Sequence, residues 1–369
     1  MPVSSVAAYS EVNATIRALY AQLLTPDVMQ ALTLSPDFDS LLSQLSKTAY
    51  APQLNLPRAL LTPRRTVYQL QGRLAELYEK LMRRTPQPGR GLIQRLWQLY
   101  EVDNLKATLR GVEQGASWDQ VLHLLAPIPR FATLSADDFQ SMLRTGTVAK
   151  AIERTRGTPY YDILVYALPR YESEKTLFPL EIALDLDYRR RLWARILQLK
   201  GDDRNQAMDL LGRMLDADNL LWAIRFRVYH KLSQEEIINY TLPQGYQVAD
   251  TDIRAIADGA DIATVIRRIY PNVAEFAELQ TEADGAPVPP GRWLGTVEET
   301  LADLLRARCR KVLHSGSPFH IGVPLAYLLL SEHELRALTA IIEAKASTRP
   351  LNDLLAAYLS TGRSMLQVS

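Results

Sequence analysis

Three stretches of this chain echo one another at a spacing of about 110–120 residues, and no other feature of the sequence limits its fold so strongly. Tyr50, Tyr160 and Tyr270 stand 110 residues apart, and Leu42, Ile152 and Ile262 sit eight residues ahead of them at the same interval. Farther along, Asp103-Asn104-Leu105 through Leu109-Arg110 matches Asp218-Asn219-Leu220 through Ile224-Arg225 at an offset of 115. A second step of 115 lands on His333-Glu334-Leu335, with Arg336 next and Ala340 where the arginine would fall. A turn and another apolar run follow each motif: Trp118 to Leu125, Ser233 to Tyr240, and Leu351 to Leu359. Two sets of landmarks with the same order and period predict three copies of one unit. Their boundaries fall at the proline-containing segments Pro127–Arg130 and Pro243–Gly245, giving units 1–130, 131–245 and 246–369.

The units are expected to be helical. Val67, Leu70, Leu74, Leu77 and Leu81 recur at threes and fours, as do Leu301, Leu304 and Leu305, while strand-like alternation is almost absent. Proline and glycine gather where the apolar stripes end, at Pro86–Gly91 and Pro287–Gly291 among others. The fold class is therefore all-α, with medium and long helices joined by Pro/Gly turns. Apolar residues make up 47% of the chain and charged residues 22%, enough to build a sizeable core and too apolar for a disordered chain. The longest apolar run, Phe319–Leu330, is interrupted by His320, Gly322 and Pro324 and is shorter than the ~20 residues a membrane span needs. The opening Met1–Ser5 lacks the basic and apolar regions of a signal peptide.

Most kinds of chemistry find no support. Net charge is +1, and the three units carry +4, 0 and −3, so none has the basic excess of a nucleic-acid binder. Gly-Lys does not occur, which removes the phosphate-cradling loop of the common nucleotide hydrolases. His333-Glu334 begins a zinc motif that position 337, an alanine, does not complete. Asp202-Asp203 is followed by Gln206 instead of the aspartate a magnesium-diphosphate site requires, and Asp185 and Asp187 point to opposed sides of a helix; all four read as solvated or helix-capping acids. Cys309, the one cysteine, lies among Arg306, Arg308, Arg310 and Lys311 and has no assignable His or Asn partner, so a buried thiol is expected. No catalytic, cofactor or metal site is expected.

The repeated motif remains. Asp103 and Arg110, like Asp218 and Arg225, are two helical turns apart on one face, too far to pair with each other. Each is expected to meet a neighbouring helix, with Asn104 and Asn219 capping nearby backbone. Together with Glu334 and Arg336, these residues either fix how the units pack or present a charged ring to a partner.

The segments Tyr100–Gly111, Asp216–Leu220, Leu232–Tyr240 and Pro318–Arg336, with the opening Tyr9, Asn13 and Arg17, resemble the C subunit of the archaeal-type and V-type rotary ATPases, called d in eukaryotes. The resemblance covers nearly the whole chain. It implies three pseudo-symmetric helical lobes arranged as a funnel, seated on the membrane-embedded proteolipid ring, with the foot of the central shaft entering the funnel. It also implies a non-catalytic adaptor, peripheral at the cytoplasmic face of the membrane, that carries torque between shaft and ring for ion transport. A generic α-helical scaffold, or an all-α enzyme of the prenyl-diphosphate type, would share the helical periodicity.

Overall fold

The computed structural model describes residues 5–280, 282–283 and 286–347. The run from Leu351 to Leu359, expected to close the third unit, lies outside them.

The stretch expected from the sequence as the first repeat holds α1 (Ser5–Tyr20), the short α2 (Pro26–Thr33) and α3 (Phe38–Leu45), the long α4 (Pro63–Arg84) and α5 (Gly89–Glu113), and α6 (Trp118–Leu122). The second has short α7 (Ala136–Leu143) and α8 (Val148–Glu153), then α9 (Tyr161–Glu174) and α10 (Phe178–Leu197). Its second long rod is α11 (Gly201–Ala207), which passes through one π turn, Met208–Gly212, into α12 (Arg213–Val228), and α13 (Gln234–Asn239) follows. The third has short α14 (Asp250–Ala257), α15 (Ile262–Ile269) and α16 (Ala274–Ala277), then long α17 (Leu294–His314) and α18 (Gly322–Ala346). A two-residue antiparallel pairing, Glu282–Ala283 with Ala286–Pro287, precedes α17 and is the one strand pairing among the described residues.

Local chemistry sets these boundaries. The short helices start on side chains that satisfy their first amides: Thr25 and Asp37 in the first repeat, Ser135 and Thr147 in the second, Asp261 in the third. At the corresponding start of α14 stands Ala249, and Asp252 reaches back to its amide at 2.9 Å. Pro63 and Pro179 occupy first-turn positions of α4 and α10, where a missing N–H costs nothing.

The long helices pack in series. α4 lies on α5, α5 on α10, α12 on α17, α17 on α18, and α18 on α4, so the third repeat is seated on the first. One large core runs through the first two repeats and α18, with Leu70, Leu92, Leu105, Leu192 and Leu328 fully buried. A second core gathers Trp222, Phe226, Ile256, Ile266 and Val297 around α12, α14, α15 and α17. Burying such side chains stabilises by about 1.5–3 kcal/mol each.

Candidate functional site

On each second long helix one buried acid ties down the chain entering the next repeat. Glu101 on α5 accepts the Thr133 amide at 3.1 Å and the Tyr160 hydroxyl at 2.9 Å. Asp216 on α12 accepts the amides of Tyr246, Gln247 and Val248 at 2.8, 2.5 and 3.1 Å. Glu334 on α18 accepts the Leu24 amide at 2.6 Å and the Tyr50 hydroxyl at 2.8 Å. In each case the bonded amides lie just ahead of the first short helix: α7, α14 and α2. Tyr50 and Tyr160 thus each donate to one of these acids, while at Tyr270 the Asp216 charge adds to burial in holding the hydroxyl above its ordinary value.

Burial raises all three acids above the usual carboxylate range, and the bonded amides and hydroxyls pull them partly back. By role, Glu334 therefore corresponds to Glu101 and Asp216, with 115 residues from Glu101 to Asp216 and 118 from Asp216 to Glu334. The uniform 115-residue step, which set Glu334 against Asn104 and Asn219, is out of register by three. In the corrected alignment Arg336 takes the place of Asp103 and Asp218, Ala337 that of the asparagines, and Glu343 that of Arg110 and Arg225. Sequence reasoning misses Glu101 and Asp216 as site residues, although each stands three positions before its Asn.

The asparagines act as backbone surrogates. Asn104 accepts the Ala126 amide at 2.7 Å and donates to its carbonyl at 3.0 Å; Asn219 does the same with Leu242 at 2.7 and 3.1 Å. Each pins the segment that leaves the short helix after its long helix, α6 or α13.

The charged positions face neighbouring helices. Arg110 grips Glu181 on α10 through two bonds of 2.6 and 2.8 Å, and Arg225 likewise pairs with Glu298 on α17. Asp103 binds Lys106 one turn on at 2.9 Å, and Lys106 reaches Asp185 on α10 at 3.0 Å. Asp218 takes Arg189 of α10 at 3.1 Å, and that guanidinium lies 3.8 Å from the centre of the Trp222 ring.

Asp185 is fully buried, so its reading as a solvated acid does not hold. Burial pushes it up to about 6 against the opposing charges of Lys106 and Arg189. Burial works against the Lys106 charge, and Asp103 and Asp185 outweigh it, which keeps the ammonium charged. Asp187, on the other side of α10, pairs with Arg191 one turn on at 2.7 Å. Asp202 and Asp203 are in the first turn of α11, and Asp203 holds the Tyr9 hydroxyl and the Ile321 amide.

Two cavities flank α17. The smaller, about 30 Å³, is lined by residues of α5, α10, α12, α17 and α18, among them Asp218, Arg306, His333 and Arg336. The larger, about 460 Å³, lies between α12, the segment after α15 and α17, with Tyr270, Leu304, Arg213, Arg308 and Lys311 on its walls. Cys309 is buried and its thiol is pushed up to about 12 by burial, then by Asp209. Among the described residues no group of His, Cys, Asp and Glu is placed to hold a metal ion, and no helix is long and apolar enough to cross a membrane.

Comparison with known proteins is consistent along the chain. Residues 12–353 match the family model described as ATP synthase (C/AC39) subunit. The C subunit of the A-type ATP synthase of Methanocaldococcus jannaschii is 24% identical over 344 residues, covering 93% of this chain and 84% of that protein. Its counterpart in Pyrococcus horikoshii is 23% identical over 94% of this chain and 90% of its own length. That of Methanobrevibacter smithii is 27% identical over 73% and 68%.

Proposed function

This chain belongs to the ATP synthase (C/AC39) subunit family, a family of non-catalytic components of the A/V-type rotary complex, and we propose that it is the central-stalk adaptor between the rotor shaft and the proteolipid ring. The observation that carries this reading is the return of α18 to the first repeat through Glu334, Tyr50 and Leu24. An open row of helix pairs twists and splays under load. A series closed end to end must break several buried, charge-assisted junctions at once before it deforms, which is the mechanical property a torque-bearing spacer needs.

In this reading units 1–130, 131–245 and 246–369 form the three lobes of a funnel. Arg110, Arg225 and Glu334 set the angles between lobes, because each bonds to the next unit, and Asp103 acts through Lys106; Asn104, Asp218 and Asn219 brace their own units. Arg336, on the wall of the smaller cavity and bonded to the Glu332 carbonyl, belongs to the same set. Shaft and ring dock on opposite ends of the funnel, the chain sitting peripherally at the cytoplasmic face of the membrane. A stable contact of that kind buries about 1,600 Å².

The test is purification of the tagged chain from its native membranes in mild detergent, with the bound proteins identified by mass. Recovery of proteolipid and shaft subunits supports the adaptor. Recovery of the chain alone at low salt overturns it and leaves a generic helical scaffold.

A further inference from the structure

We propose that the larger cavity, between α12, the segment after α15 and α17, is a site for a single-chain amphiphile with an anionic head. Its volume, about 460 Å³, falls within the ~300–1,000 Å³ of small-molecule sites, whereas the smaller cavity holds about 30 Å³. The inference goes beyond the adaptor reading and does not rest on it.

The α17 wall gives the cavity a direction. Leu301, Leu304, Leu305, Arg308 and Lys311 share one face of that helix, and all five line the cavity. Lys311 stands ten residues after Leu301, about 15 Å along the axis. The wall is therefore leucine at one end and cationic at the other. Ile269, Pro271 and Val273 add apolar surface from the segment that ends α15. Leu304 is 39% exposed, so the apolar end holds a leucine that the chain itself leaves uncovered.

The polar end carries the charge. Arg213 of α12 and Arg308 share the carboxylate of Asp209, which places both guanidinium groups at that end, and Lys311 lies one turn beyond Arg308. Lys311 is exposed and pairs with no acid among the described residues. Three cations against the one acid they contact leave two positive charges in excess. No described acid lines the cavity, and Asp216, whose charge reaches Tyr270, is turned to three backbone amides. Tyr270 lines the wall within reach of the Arg213 charge. Unlike Tyr50 and Tyr160, its hydroxyl bonds to no described residue, which leaves it able to donate to an incoming anion. A chain laid along the leucines would bring a carboxylate or phosphate head to these donors.

The test is calorimetric titration of the full chain with sodium laurate below its micellar concentration, beside dodecanol, which has the same chain length and no charge. A single saturable site that prefers laurate is expected. Lys311→Gln should weaken laurate about two- to fivefold, as for an exposed ion pair, and leave dodecanol unchanged. Leu304→Gln should weaken both ligands, because it removes apolar surface from the chain's path. Both side chains are exposed, and unchanged helical circular dichroism identifies variants that have folded.

Laurate that fails to saturate, or that binds the parent and both variants alike, overturns the proposal. Equal affinities for laurate and dodecanol overturn the anionic head. Absence of laurate binding, together with weaker retention of Lys311→Gln in the purified membrane complex, overturns the amphiphile and gives the groove to an acidic segment of a partner protein. None of these results touches the co-purification on which the adaptor reading stands or falls.

Discussion

The Tyr50 hydroxyl donates to Glu334 Oε1 at 2.8 Å across 284 residues of chain. Both groups are buried, so the bond replaces hydration that neither can recover. Glu101 and Tyr160 make the same bond between the first and second repeats at 2.9 Å. The junction that closes the series is thus built like one that extends it.

Removing the hydroxyl should show this equivalence. Tyr50→Phe and Tyr160→Phe are each expected to destabilise by about 1.5–3 kcal/mol, as for hydrogen bonds to charged groups. A double-mutant cycle of Tyr50→Phe with Glu334→Gln in urea unfolding should return a coupling energy well above zero. Additive effects would remove the closing bond from the sources of stability.

Trp222 is 2% exposed beneath the Arg189 guanidinium. Trp222→Ala should cost about 3–5 kcal/mol by leaving a cavity, and should also unseat Arg189 from Asp218. A melting temperature within a degree of the parent would mean that this helix face is not packed as described.

Asp185 titrates near 6 in the folded chain, raised chiefly by burial, against about 3.9 when unfolded. The folded state therefore holds a proton that the unfolded state has released between these values. Its contribution is fully present below about pH 4 and is lost as pH rises through about 6, a span worth about 2–3 kcal/mol. The difference in unfolding free energy between parent and Asp185→Asn should fall with rising pH across that window and be flat above it. A difference independent of pH from about 4 to 7 contradicts the assignment.

Cys309 is buried on α17, with its thiol pushed up to about 12. Thiol reagents at about pH 8 should leave the native chain unlabelled and react on unfolding, so labelling in graded urea reports the opening of the α17–α18 pair. Rapid labelling of the native chain would place the thiol at the surface.

Much of this is legible from residue types alone. Apolar periodicity identifies α4 and α17, and of the tyrosines spaced by 110 residues Tyr50 and Tyr160 each donate to a buried acid on a long helix of a different unit. The asparagines are readable as backbone caps because a side-chain amide is a surrogate peptide group. The third register is not readable. The paired segment between Tyr270 and α17 makes that stretch longer than its counterpart between Tyr160 and α10, and the motif drifts from Asp-Asn to Arg-Ala once its partners change. Glu101, Asp216 and Glu334 escape as a set for a related reason: their partners are mostly backbone amides, which leave no mark in a sequence.

The π turn at Met208–Gly212 has a consequence for everything downstream of it. Such a turn is how a helix absorbs one surplus residue without breaking, and it displaces the following side chains by about 100° around the axis. Asp209, within the turn, pairs with both Arg213 and Arg308. Asp216, Asp218, Asn219 and Arg225 all lie beyond it. Delete one residue there and each of them would turn toward the wrong neighbour, so the second repeat keeps its reading frame through one extra peptide unit.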